Sequence, residues 1–307
     1  MGFEIPPDVE KCDVKCGYRN VSLTNLQKVF WPELGKTKRD LLLYYAAVAP
    51  VLIPHLTERA MVMKRYPNGI EGKFFFMKRT PEYKPEWLET CSIEHGSGSI
   101  IDFPVVQDLA SLLWIVNLGC IDLNPWYARC DDVNRPDFLH FDLDPVPPAG
   151  FAEVRRVALL VRAYLKERRV SSYPKTTGSR GIHIYVAIEG GPLQKEVWRV
   201  AKAIAIELAK QYPDAITSEY KVAQRPAGRV LVDYNQNAWG RTLASVYSVR
   251  PKPEASVSAP VSWEEIEHGL ELDQLTMDTV PGRVVELGDL FKPVLAKRGR
   301  CRLEMLQ

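Results

Sequence analysis

Residues 140–145 read His-Phe-Asp-Leu-Asp-Pro, the end of an apolar run that starts at Phe138. Side chains alternate faces along a strand, so Asp142 and Asp144 point the same way while Phe141 and Leu143 point the other. Two carboxylates held a few ångströms apart repel, and a cation between them relieves the repulsion. Pro145 ends the strand and leaves the pair near a sheet margin. An Asp-x-Asp alone also fits a strand end that merely meets solvent. The second apolar run, Val230-Leu231-Val232, ends in Asp233, which supplies a third carboxylate from a neighbouring strand. Three carboxylates on adjacent strands suit a two-metal phosphoryl-transfer site.

A second stretch, residues 176–183, reads TTGSRGIH. Gly178 and Gly181 flank Ser179 and Arg180, a pattern that lets backbone N–H groups approach a polyphosphate; it also fits a tight turn. The strand from Gly181 to Ile188 follows. His183 on it is either a hydrogen-bonded core histidine or a contact for phosphate or sugar.

Outward from these motifs, the spacing predicts helices over 37–48, 107–116, 151–168 and 193–211. Thr37 is the expected N-cap of the first, with Asp40 three residues on. Further strands are predicted over 60–64, 73–78 and 243–249. Strands and helices mix without strict alternation. The fold class expected is α+β, with mixed or antiparallel sheets and surrounding helices. Residues 251–260, PKPEASVSAP, read as a linker or strap. They divide a main body over 1–250, with a basic N-terminal part, from a C-terminal segment over 261–307 that packs on the core. Its tail from Ala296 is expected to fray.

Bulk composition excludes several classes. The 307 residues are 46% hydrophobic and 25% charged, enough for a real core and too balanced for wholesale disorder. No apolar run is long enough to span a membrane, and the first residues lack the apolar centre of a signal peptide, so a cytoplasmic, nucleoid-associated protein is expected. The six scattered cysteines read as reduced thiols; Cys12 and Cys16 form only half a zinc site. Net charge is +2, but residues 11–85 carry fourteen Lys or Arg against six Asp or Glu. A basic segment beside an acidic site suits a protein that holds a polyanion and binds metal, although a solvated basic face gives the same count.

Taken together, these blocks resemble the polymerase domain of bacterial ligase D, a primase-polymerase of the archaeo-eukaryotic primase superfamily that works in non-homologous end joining. The likeness rests on LTNLQKVFWPELGKTKRDLLLYY from Leu23, MKRYPNG followed by FFFMK, HFDLDP, TTGSRGIH, and DYNQN leading to TLASVYSVR. It runs from about Val21 to Leu295. It implies a primase-polymerase-like catalytic core in which Asp142, Asp144 and Asp233 hold Mn²⁺ or Mg²⁺. It implies that Thr177 meets the sugar and His183 the phosphates of an incoming NTP or dNTP. Lys64, Arg250, Gln236 and the loop of Gly178 and Ser179 surround the triphosphate, and Phe75 and Phe76 stack near the base. Asn25, Lys28 and Lys38 grip the 5′-phosphate beyond a DNA gap. Lys28 and Lys38 also lie in the basic segment, where lysines supply point charge to a phosphate.

Two positions depart from the family pattern. Asn124 stands where many members have histidine, and Thr177 where they often have serine. Both lie near the sugar in the family and bear on its preference for NTPs over dNTPs. The resemblance implies addition of nucleotides to a DNA 3′-OH at gaps or broken ends, by a monomer acting with Ku and a separate ligase, since nothing like the ligase or phosphoesterase domains of ligase D is seen. The alternatives are a primase starting chains de novo and a non-catalytic DNA-end-binding module.

Overall fold

The aliphatic face of one sheet organises half of the molecule. In the computed structural model, which describes residues 4–307, five strands order as Tyr173–Thr176, Ile182–Ala187, Phe138–Pro145, Val230–Asp233 and Ile216–Thr217. The first four pair antiparallel and the last pairs parallel. Alternation gives this sheet two unlike faces. Leu139, Phe141, Leu143, Ile182, Ile184, Val186, Val230 and Val232 lie on one, all with no exposed surface; each such side chain contributes about 1.5–3 kcal/mol relative to exposure. His140, Asp142, Asp144, His183, Tyr185 and Asp233 lie on the other. The helices Phe151–Glu167 and Gln194–Gln211 pack on the central strand. They bury Val154, Val157, Val161 and Leu165 from the first, and Val197, Ala201, Ile204 and Leu208 from the second.

This sheet belongs to one of two compact units, made of residues 127–243, 259–272 and 289–307. The other unit comprises residues 1–126, 244–258 and 273–288. Its centre is a three-stranded antiparallel sheet ordered Phe75–Met77, Met61–Arg65, Cys120–Pro125. Helices Lys38–Leu56 and Leu109–Asn117 pack together beside it. Thr37 caps the longer helix: its hydroxyl accepts from the Asp40 N–H at 3.4 Å, and the Asp40 carboxylate accepts from the Thr37 N–H at 2.7 Å. That is the reciprocal box read from the sequence.

The mixed architecture is as expected, with differences at the boundaries. The first helix runs to Leu56 rather than 48, through Pro50 and Pro54. Each proline removes one N–H and crowds the preceding turn; burial of Leu52 and Leu56 beyond them offsets that cost. Residues 251–260, read as a linker or strap, are partly paired and buried. Val257–Ser258 pairs with Ser248–Val249, and Ala255 through Pro260 are buried, because small alternating side chains fit a closely packed edge. The tail is not frayed either. The Cys301 N–H donates to the Ala187 carbonyl at 2.8 Å and its carbonyl accepts from Glu189 at 2.9 Å, while Leu303 and Leu306 are buried. Among the described residues no helix is long and apolar enough to cross a membrane. Of the first residues, which lack the apolar centre of a signal peptide, residues 1–3 lie outside the described residues.

Asn237 completes the central strand. The partner strand ends at Asp233, which would leave the inward N–H and C=O of His140 unpaired. The Asn237 side chain accepts from that N–H at 3.0 Å and donates to that carbonyl at 2.7 Å, as a further peptide unit would. Asn237→Ala leaves two buried backbone groups unsatisfied and is expected to cost about 2–4 kcal/mol in urea unfolding; a loss below about 0.5 kcal/mol would show that the strand end does not need it.

Candidate active site

The three carboxylates come together as the alternation requires. Asp142 is directly opposite Asp233 across the antiparallel pair, and Asp144 is two residues further along the same face. Burial raises Asp144 to about 7, and Asp142 and Asp233 add to the rise while Arg180 opposes it. Asp233 is raised as well, chiefly by burial and then by Asp142, against a 2.7 Å hydrogen bond from the Asn235 N–H. Gln236 donates to the second Asp233 oxygen at 3.4 Å. Three hard-oxygen side chains whose ionisation is opposed by burial and by one another fit Mg²⁺ or Mn²⁺ by donor chemistry. Among the described residues, no group of three or more His, Cys, Asp or Glu side chains is placed to hold a metal ion.

His183 faces Asp142 from the other flank, with Nε2 3.2 Å from Oδ1. Beyond it stands Lys175, wholly buried, its Nζ 2.8 Å from His183 Nδ1. His140 lies two residues from Asp142, between the rings of Tyr127 and Tyr185 at 4.3 and 5.3 Å. Burial, then the electrostatic influence of His183 and Lys175, holds its imidazole well below the usual histidine range.

The glycine loop is tied by Thr177. Its hydroxyl accepts from the N–H groups of Ser179 and Gly181, both at 3.1 Å, and its own N–H donates to the Gly181 carbonyl at 3.0 Å. Gly178 takes a φ of +63°, and a Cβ on Gly181 would sit 2.3 Å from the Leu143 carbonyl oxygen. The loop therefore closes onto the carboxylate strand only with glycine there. Ser179 is half-buried.

The other candidates lie on the first unit. Lys64 shares a rung with Phe76 on one side and Asp122 on the other. Its ammonium lies 4.3 Å from the Phe74 ring centre and 5.7 Å from that of Phe76. Burial lowers its pKa; Asp122 opposes this and Arg250 adds to it. Phe75 faces away from Phe76 and lies under Arg65 instead, because adjacent strand residues alternate. The ring beside Phe76 is Phe74, which in turn stacks on Tyr66. Buried Asp122 pairs with Arg250 at 3.3 Å and accepts from the Asn124 amide. Asp122 escaped the sequence reading, although Asp122-Leu-Asn124 repeats the alternation of the carboxylate motif.

Asn25, Lys28 and Lys38 meet in one turn of the first unit. Asn25 takes a positive φ of 54°. The Lys28 N–H donates to the Asn25 carbonyl at 3.2 Å, and that of Lys38 to the Lys28 carbonyl at 2.9 Å. Lys28 Nζ donates to the Asn68 amide oxygen at 2.7 Å. Lys38 is buried against the Thr24 carbonyl at 2.6 Å. Its pKa is pushed down to about 8 by burial, then by Lys28 and Arg65.

With this geometry in hand, comparison with known proteins places the chain. Residues 37–291 match the family model for the LigD primase-polymerase domain. The chain belongs to this family. It is 33% identical over 279 residues, 90% of its length, to the multifunctional non-homologous end joining protein LigD of Mycolicibacterium smegmatis, of which it covers 36%. It is 29% identical over 299 residues to the bifunctional LigD of Bacillus subtilis, covering 48% of that protein. The chain thus spans less than half the length of these relatives. A solved polymerase domain of Mycobacterium tuberculosis ligase D, in complex with DNA, superposes with a TM-score of 0.84 at 31% identity, over 90% of this chain and 98% of that one. The family makes the chain a primase-polymerase, a nucleotidyltransferase by class.

The strain in the acidic face is measurable without metal. The folded value of Asp144, about 7, lies above the ordinary 3.8. The folded state therefore holds a proton that the unfolded chain loses, and this contribution to stability, full at acidic pH, falls as pH rises toward 7. In chelator, Asp144→Asn is expected to flatten this part of the melting-temperature profile and to melt above the wild type at pH 8. A variant melting below it at pH 8 would contradict the strain.

Proposed function

We propose that this chain adds nucleotides to a DNA 3′-OH at gaps or broken ends in non-homologous end joining. The observation that carries the reading is the set of three carboxylates on one sheet face, Asp142 and Asp233 directly opposed. Such a set suits phosphoryl transfer better than it suits DNA binding, since carboxylates facing DNA repel it.

Asp142, Asp144 and Asp233 would hold Mn²⁺ or Mg²⁺, which supply an activated hydroxyl and neutralise charge on the triphosphate. The chain's own residues do the rest. The turn of Gly178 and Ser179, tied by the Thr177 hydroxyl, is assigned to the triphosphate, and Gln236 steadies Asp233. His183 offers an N–H beside Asp142. On the first unit, Lys64 and Arg250, both steadied by Asp122, supply charge for phosphate, and the exposed ring of Phe76 offers a stacking surface for a base. Phe75, turned to the opposite side, is assigned no place at the same base. Asn124, whose amide donates to Asp122, and Thr177, whose hydroxyl ties its loop, bear on the sugar, where NTPs are preferred over dNTPs. The turn of Asn25, Lys28 and Lys38 receives a downstream 5′-phosphate. Ku and a separate DNA ligase are the partners proposed to act with it.

The deciding experiment is extension of a labelled primer across a short gap in Mn²⁺, with NTPs and dNTPs in parallel. Asp142→Ala is expected to lower the rate at least about a hundredfold while DNA binding persists; extension at the wild-type rate would sink the site. Synthesis on unprimed single strands would favour a primase. Lys28→Ala with Lys38→Ala is expected to abolish the preference for a phosphorylated gap and to leave a simple recessed primer extended within about twofold of wild type. Because Lys38 titrates at about 8, that preference should fade as pH rises through this value and persist higher in Lys38→Arg. A preference independent of pH from 7 to 9 would place the phosphate elsewhere.

A further inference from the structure

Four ionisable residues stand on one rung of the five-stranded sheet, one from each neighbouring strand: Lys175, His183, Asp142 and Asp233. Lys175 alone has no role in the mechanism above. A lysine with no exposed surface is costly, and an aliphatic side chain of similar length would pack there with less penalty. Its contacts show what it does in that position. The Nζ lies 2.8 Å from His183 Nδ1; as an ammonium Lys175 offers donors only, and Nδ1 then accepts. On the far side, His183 Nε2 lies 3.2 Å from Asp142 Oδ1. A carboxylate has no hydrogen to give, so its approach favours the tautomer with the hydrogen on Nε2. Both contacts favour the same tautomer.

The same face supplies a contrast. His140 is equally buried but has no lysine hydrogen-bonded to its ring: it lies tilted against Tyr127 and stacked on Tyr185, with the Gln236 backbone beside it. A histidine on this face without a lysine behind it becomes a stacking residue. The geometry points to Lys175 as a positioning residue that locks His183 as an Nε2–H donor, turned to the carboxylate end of the rung where an anionic phosphate would meet it. The kinetic part of this inference rests on the polymerase reading; the tautomer does not.

The test begins with long-range ¹H–¹⁵N spectra of the five histidines, His183 being assigned by its loss in His183→Gln. The wild type should show His183 as the Nε2–H tautomer alone, and Lys175→Met a mixture; Lys175→Gln, which keeps a donor without charge, should restore much of the wild-type signal. An Nδ1–H tautomer in the wild type, or an unchanged spectrum in Lys175→Met, overturns the inference. In single-nucleotide addition, Lys175→Met and His183→Gln should each slow the reaction, and the double variant should be no slower than the slower single by more than about twofold. Fully additive losses would make Lys175 a merely structural residue. Melting should find Lys175→Met no less stable than the wild type. If that variant fails to fold, the wild-type spectrum still decides. A wild type that adds no nucleotide overturns the polymerase reading, and the spectra then judge this one separately.

Discussion

Carboxylates opposed across a β-ladder repel one another at a distance the backbone fixes, and the second unit is arranged around holding that repulsion in place. Side chains directly opposite in an antiparallel pair cannot separate without breaking the ladder. Asp142 and Asp233 are therefore kept together by main-chain hydrogen bonds, not by any attraction of their own. The aliphatic underside makes the ladder rigid. On one flank His183, backed by Lys175, faces Asp142 at 3.2 Å; on the other, Asn235 and Gln236 donate to Asp233. Asn237 ties the strand below the pair. Each support acts on a neighbour of the acidic face and leaves the carboxylate edge available to a cation.

The first unit uses the complementary arrangement. There the buried charge is a single carboxylate, Asp122, and the groups it steadies are cations: Arg250 by an ion pair and Lys64 by a shared rung. Long basic side chains lose much conformational freedom when they bind a ligand, and a fixed counter-charge removes part of that cost beforehand. The aromatic rings around Lys64 act similarly, since a cation over a ring face is held without being neutralised.

Legibility in the sequence followed the range of the interaction. Alternation within HFDLDP gave the shared face of Asp142 and Asp144, and the run into Asp233 gave the third carboxylate, because both depend on neighbours in sequence. The Thr37–Asp40 box was readable for the same reason. Lys175, Asp122 and Asn237 were not read, since their meaning comes from which residue lies across the sheet: a neighbour eight residues on for Lys175, and distant segments for the partners of Asp122 and Asn237. The pairing of Phe75 with Phe76 shows the converse. Alternation alone separates adjacent strand residues, and the resemblance to a family outweighed it. Residues 251–260 looked like a linker by composition, but Ala, Ser and Val also suit a tightly packed edge.

Neither unit is a continuous piece of chain. Residues 244–258 and 273–288 return to the first unit after the second has been largely built, and the last nineteen residues return to the second. No single cut releases either one whole, and a chain truncated at residue 243 would carry the three carboxylates without Arg250. Such a chain cannot gain or lose half of its chemistry by simple exchange of a terminal segment. Whatever rearrangements have joined or detached other domains in its relatives, this core can be inherited only entire, and the first unit lacks its last two strands until the five-stranded sheet of the second has been synthesised.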